Sequence, residues 1–176
     1  MLMNAKSYEQ ELREKDYLTW NNLKYQYVNG GPGTRELCLE NNTYSVHEFV
    51  SVDDDGEVIG FICYEVDFTS KSAGGFCAIS YTPEGSVTFA RDLYQAIDDI
   101  FCKYNFNRIE WSCWADNPAI RGYRKFCKKF GGREVGILKY KGRLLDGHLH
   151  DSVIFELLSE DYKSCKEWRE NKKRGG

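Results

Sequence analysis

The stretch FCAISYTPEGSVTFARDLYQAIDDIFCKYNFNRIEWSCW, residues 76–114, decides the fold. It opens with a β-type run, FCAISYT, passes a turn holding one glycine, Gly85, and enters a helix-type run. In VTFARDLYQAIDDIFCKY (87–104), Phe89, Leu93, Ile97, Ile100, Phe101 and Tyr104 form one apolar stripe at helical spacing. RIEWSCW (108–114) then reads as a strand. Two strands joined through a helix pair in parallel, because the connection is far longer than a hairpin turn.

Upstream, HEFVSVDDDGEVIGFICYEVDF (47–68) is a hairpin. Asp-Gly supplies the positive-φ turn between its two β-rich runs. Asp53, Asp54 and Asp55 read as that turn and not as a cation site, since no ligand spacing follows them. SKSAGG (70–75) reads as a second turn. Residues 8–28 carry apolar side chains at roughly helical spacing and predict one or two helices. NGGPG (29–33) breaks them, and a loop or short element follows to about Tyr44.

Downstream, ADNPAIRGYRKFCKKFGG (115–132) is a helix marked at both ends. Asn117 suits the N-cap, Pro118 the first helical position and Gly131-Gly132 the stop. Ile120, Tyr123, Phe126, Cys127 and Phe130 form its buried stripe; Arg121, Arg124, Lys125, Lys128 and Lys129 cover the rest. REVGILKYKG and HLHDSVIFELL give two last strands. The order predicts an α+β single domain: a mixed, mostly antiparallel central sheet with one parallel strand pair, flanked by helices.

A chain of 176 residues favours one domain, and 15% aromatic content argues against disorder. A net charge of −3 lacks the basic excess of a nucleic-acid binder. The seven cysteines are odd in number, have no C-x-x-C spacing and sit mostly in apolar runs. They read as reduced core residues of a cytoplasmic protein. With only three histidines, no metal site is expected. The start, MLMNAKSYEQELREKD, lacks the apolar stretch of a signal peptide, and no later run approaches a membrane span. The end, KSCKEWRENKKRGG, reads as a frayed, charged surface segment.

Several residues carry chemistry, each with a bland reading beside the functional one. A helix N-terminus after a glycine turn suits a phosphate, but the same residues also make a plain turn. Tyr123 is either core or a proton donor lining a cleft. Glu110 is either an exposed strand residue paired with Arg or Lys, or a base. His148, His150 and Asp151 are structural or substrate-edge residues. Neighbours in a strand point to opposite faces, and no Ser or Cys elbow accompanies them to complete a triad.

Taken together, residues 47–160 resemble the GNAT superfamily of acyl-CoA N-acyltransferases. NPAIRGY looks like the family's Asn-x-x-Ala-x-x-x-Tyr helix start with spacing off by one, and KKFGGREVG resembles its helix exit. GHLHDSVIFELLSEDY is similar to the last strand of its ribosomal-protein-type N-terminal acetyltransferases. Of the phosphate-loop pattern Arg/Gln-x-x-Gly-x-Gly/Ala, which falls on Thr82, Gly85 and Val87, only Gly85 matches.

The resemblance implies that strands 76–81 and 108–114 splay apart around acetyl-CoA. Its pantetheine would meet the backbone at Ile79, Ser80 and Tyr81, and its pyrophosphate would meet Gly85, Ser86, Val87 and Thr88. Asn117 and Arg121 would complete the cosubstrate site. Tyr123 would be the general acid and Glu110 the base, with Ser80 and Tyr81 as alternative holders of a water. The acceptor would be a primary amine, on a small molecule or a polypeptide N-terminus, without nucleic acid, membrane or metal. A homodimer is allowed. Residues 1–46 would be a helical acceptor wall, 47–160 the transferase core and 161–176 a charged tail. Acidic Glu9, Glu11, Glu14 and Asp16 hint at a cationic acceptor. The alternative is a catalytically impaired domain of the same fold that binds a CoA-type ligand or a protein partner. A domain with no CoA site is the third reading.

Overall fold

The hairpin signalled by Asp-Asp-Asp-Gly is present as β2 (Val46–Val52) and β3 (Val58–Asp67). Gly56 takes φ +89, and Asp53 Oδ1 accepts the N–H groups of Asp55 and Glu57 at 3.1 and 2.9 Å. The acidic triplet therefore folds its own turn. The computed structural model describes residues 1–29, 39, 44–82 and 86–174. The expected breaker and most of the loop that follows it lie outside these residues, as does Gly85.

β4 (Ser72–Ser80) pairs antiparallel with β3. SAGG thus belongs to the strand and not to the turn. The turn is earlier, at 68–71, where Asp67 accepts from Thr69 N and Ser70 Oγ and Lys71 takes φ +50. Gly75, at φ +58, makes a bulge beside the register shift between Cys63 and Glu65. The sheet has seven strands in the order β1-β2-β3-β4-β5-β7-β6, with β5 at Arg108–Trp114, β6 at Arg133–Arg143 and β7 at Leu149–Leu158. Only the β4–β5 pair is parallel. The edge strand β1 (Leu2–Asn4) was not expected; it pairs with Phe49–Ser51 of β2.

Helices cover both faces. On one face, α1 (Glu9–Tyr17) buries Leu12 against Val50, Val58, Phe61 and Ile79, and the short α2 (Gln26–Asn29) follows. On the other, α3 (Val87–Asp98) and α4 (Ile120–Phe130) cover the larger core around Ile62, Trp111 and Phe155. The α3 stripe is as expected except at its end. The helix runs into a π turn in which Tyr104 N bonds Asp99 O at 2.9 Å, and that shift leaves Tyr104 exposed. Phe106 fills the core in its place.

The segment expected to fray is a 16-residue helix, α5 (Ser159–Arg174). Tyr162 is buried, its hydroxyl donates to Asp98 at 3.0 Å, and Arg169 lies over the Phe130 ring. Charge does not keep this segment off the core because one face carries the anchoring aromatic and cations whose partners lie on α3 and α4. Among the described residues no helix is long and apolar enough to cross a membrane.

One close approach fixes α3 on the sheet. A Cβ at Gly60 would stand 2.3 Å from the Phe89 ring and 2.7 Å from Ile79 O. Gly60→Ala is expected to cost about 1–3 kcal/mol through overpacking. Chemical denaturation measures it, and Phe89→Leu in the same chain should recover part of the loss.

Candidate active site at the strand wedge

β4 and β5 pair only at Ser72–Arg108 and Ala73–Ile109. Beyond that point each strand has another partner. β5 pairs with β7 along its whole length, and β4 stays on β3 as far as Ser80. The bulge at Gly75 turns β4 away just where the two part. From Phe76 to Ser80, the β5-facing backbone edge of β4 has no strand partner, and a wedge opens.

Ile79 packs into the α1-side core, while Ser80 Oγ and Thr82 Oγ1 share a hydrogen bond of 2.9 Å. Tyr81 N donates to Ile59 O, and the Tyr81 hydroxyl is buried without a hydrogen-bond partner. Burial pushes its phenol up, and nearby Asp16 and Cys77 add to the shift. At the mouth of the wedge Ser86 caps α3, its Oγ accepting from Phe89 N at 3.3 Å. The amides of Val87 and Thr88 belong to the first turn, which has no helix carbonyl to bond. The Val87 side chain is 87% exposed and does not crowd those amides.

α4 supplies the opposite wall. Asn117 Oδ1 accepts from Ala119 N at 2.9 Å, so Asn117 caps the approach although the regular helix starts at Ile120. Arg121 is exposed in the first turn. The helix stops at Gly131, φ +82, as its glycine pair predicts. Tyr123 is half-buried, with ring centroids 6.0 Å from both Trp111 and Phe155. Among the described residues none hydrogen-bonds its hydroxyl. Burial pushes its phenol up, and the thiols of Cys113 on β5 and Cys77 on β4 push the same way. Tyr123 thus packs over β5 and β7 on the α4 side of the opening, and burial holds its phenol above the usual range.

Glu110 is placed differently. Its side chain alternates away from Trp111, and hence from Tyr123, at the closed end of the wedge. It is 47% exposed and ion-paired with Arg108, whose Nε lies 3.0 Å from Glu156. The structure does not bring the two expected catalytic residues together.

Two features escaped the sequence. The first is a row across the α1 face of the sheet, where register pairs Glu48 with Cys63 and Cys63 with Cys77. Glu48 is 6% exposed. Its signal was present: it stands in a stripe with Val46, Val50 and Val52, where a carboxylate is out of place. The second is the pair of carboxylates on His150, a residue read from sequence as structural or substrate-edge: its Nδ1 lies 2.9 Å from Asp116 and its Nε2 lies 3.0 Å from Asp146. His148 is exposed, and Asp151 instead binds Lys139 and Tyr140 N.

The hydrogen bond to Asp146 raises the His150 pKa against the opposing effect of burial, and Asp116 adds to the rise. Its folded value is above the free value of 6.5, so its stabilising contribution is full below about pH 6.5. That contribution is lost as pH rises through the folded value. Melting temperature should fall over this window, and His150→Gln should flatten the slope; an unchanged slope removes His150 as its source.

No protein-family model matches the chain, and no curated protein matches it. Solved structures do. The spermidine/spermine N-acetyltransferase SpeG of Vibrio cholerae, in a complex with manganese ions, aligns at 25% identity over 70% of this chain and 71% of that one, with a TM-score of 0.59. Mutant forms of the same enzyme align at 25% identity over 70% and 72%, with a TM-score of 0.59. This similarity to acetyltransferases of the GNAT fold supports reading the chain as an acyltransferase, on the sheet and wedge described above.

Proposed function

We propose that this acyltransferase moves an acetyl group from acetyl-CoA to a primary amine by direct attack. One observation carries the reading: a half-buried Tyr123 on the α4 side of the strand opening, whose hydroxyl no described residue bonds and whose phenol burial pushes up, as suits a proton donor to a leaving thiolate. The free edge of β4 around Ile79, Ser80 and Tyr81 suits a pantetheine chain. The first-turn amides of Val87 and Thr88 suit its pyrophosphate, with Asn117 and the exposed Arg121 close to the same mouth. The sheet with α3 and α4 would be the transferase core, and α1 and α2 would wall the acceptor side. None of the six described cysteines is in a disulfide, which supports a reducing, cytoplasmic setting.

The acceptor is an amine that arrives as a cation. Buried carboxylates on the α1 side, Asp16 and Glu48, favour it, and the similar V. cholerae enzyme is named for spermidine and spermine. A polypeptide N-terminus is the second acceptor class, supported by GHLHDSVIFELLSEDY. The engagement of Glu110 by Arg108 favours the impaired, ligand-binding domain as the second reading.

Thermal melting with acetyl-CoA, followed by transfer to spermidine and to a short peptide, separates these. At 100 times Kd, the ligand should add about 2.7 kcal/mol. No shift at millimolar acetyl-CoA sinks both readings. A shift without transfer to any amine leaves the binding domain.

A further inference from the structure

Resting on the acetyl-transfer reading, we infer that His150 is a positioning residue that holds α2 in place as the wall against which the acceptor amine binds. Several segments meet at this one side chain. Trp114 ends β5 at the open end of the wedge, on the face opposite Trp111. His150 lies on β7 two residues before Ser152, the register partner of Trp114, and the two rings meet edge to face with centroids 6.4 Å apart. From α2, the Tyr27 ring meets the imidazole at the same centroid distance, 6.4 Å, with planes at 84°. Asp116 follows β5, and Asp146 lies in the turn between β6 and β7. Each sets a carboxylate on one imidazole nitrogen, at 2.9 Å from Nδ1 and 3.0 Å from Nε2.

Ionised carboxylates only accept, so both ring nitrogens must donate, and only the imidazolium does that. The His150 proton therefore ties the β6–β7 turn to the end of β5. The first two residues of α2 are fastened to that tie. Gln26 Oε1 accepts from Asp146 N at 3.3 Å, and Tyr27 packs on the imidazole itself. The approach to α4 has bonds of its own: Asn117 N donates to Trp114 O at 3.0 Å, and Asn117 Oδ1 accepts from Ala119 N at 2.9 Å. Among the described residues, no hydrogen bond links Asp116, Asp146 or His150 to β4 or α3. Loss of the tie should move the acceptor wall and leave the cosubstrate side and Tyr123 in place.

The groups around the imidazole set the direction with pH. Asp116, Asp146 and Tyr27 face it, and Trp114 carries no charge. In the turn, His148 N donates to Asp146 Oδ1. Asp151, the next residue of β7, alternates to the other face and binds Lys139. As pH rises through its raised folded value, the imidazole keeps one N–H and turns a lone pair toward the other carboxylate. The tie opens on that side, and acceptor binding weakens.

The test measures KM for spermidine and for acetyl-CoA separately between about pH 6 and 8, where primary amines stay charged. His150→Gln can donate to only one of the two carboxylates. It should raise the spermidine KM by about 10-fold, on the order of one charge-assisted hydrogen bond, and leave kcat at saturating amine and the KM for acetyl-CoA near wild type. The wild-type spermidine KM should rise across this range and that of the variant should not. Asp146→Asn added to His150→Gln lets two amides pair and should recover part of the loss, which a general loss of stability would not. Amide exchange at 26–29 should quicken in His150→Gln while exchange in α3 and α4 stays the same. An unchanged spermidine KM, an equal rise for acetyl-CoA, or exchange that quickens throughout the chain overturns the role. A wild-type chain that acetylates no amine sinks the transfer reading and this role with it, whereas unchanged exchange at 26–29 in a working enzyme sinks the role alone.

Discussion

Tyr123→Phe should lower turnover by about 10²- to 10³-fold, within the range of general acid catalysis, and leave acetyl-CoA binding in place. The lower figure is about 2.7 kcal/mol of transition-state stabilisation. Phenylalanine keeps the ring contacts with Trp111 and Phe155 and removes only the hydroxyl. Among the described residues that hydroxyl has no partner to leave unpaired, so the variant should melt no lower than the wild type. Burial keeps the phenol protonated across the working pH range, as an acid for a thiolate must be. The measurement pairs steady-state turnover with the acetyl-CoA melting shift. Unchanged turnover removes Tyr123 from the acid role, whereas loss of both signals would make it a binding residue.

The parts of this molecule that could be read from sequence are those whose cause is local. Asp-Gly at 55–56 needs only its own φ angles to define a hairpin, and α3 shows its buried face through spacing alone. The failures share another cause, which is that their partners are distant in the chain. β1 is three residues long and exists because β2 offers an edge some 45 residues on. Gly74-Gly75 reads as a turn until β3 is seen to hold it in a bulge. α5 reads as a solvated tail until Tyr162 meets Asp98, 64 residues away.

The site divides in the same way. Asn117 bonds Ala119 N in the turn just ahead of α4, two residues before the helix's own cap, and that local bond was legible. Val87 stands where the phosphate-loop pattern has a small residue, and the helix start turns its side chain outward. Glu110 looked like the base because it was the carboxylate near the right strand, but the sequence does not show that Arg108 and Glu156 surround it. The burial of Glu48 was signalled by its place among Val46, Val50 and Val52, but its line with Cys63 and Cys77 comes from register across two strand pairs, which no single segment encodes.

Phe155→Ala should be the most damaging core change, at about 3–5 kcal/mol by denaturant unfolding. Phe155 is fully buried, and its ring stacks on Trp111 with centroids 5.4 Å apart and planes at 9°. Its position follows from the wedge. A sheet opened between β4 and β5 keeps only two residue pairs at that seam, so β5 depends on β7 for its backbone partners. Phe155 on β7 sits opposite Trp111 on β5 and also supports Tyr123 on α4. Removing it empties the space behind the strand and frees the acid to tilt. Turnover should therefore fall with stability, and Phe155→Leu, which refills most of the volume, should lose much less of both. A loss below about 1 kcal/mol in Phe155→Ala would mean that β5 is held by its hydrogen bonds alone, and the packing account of the open wedge would fail.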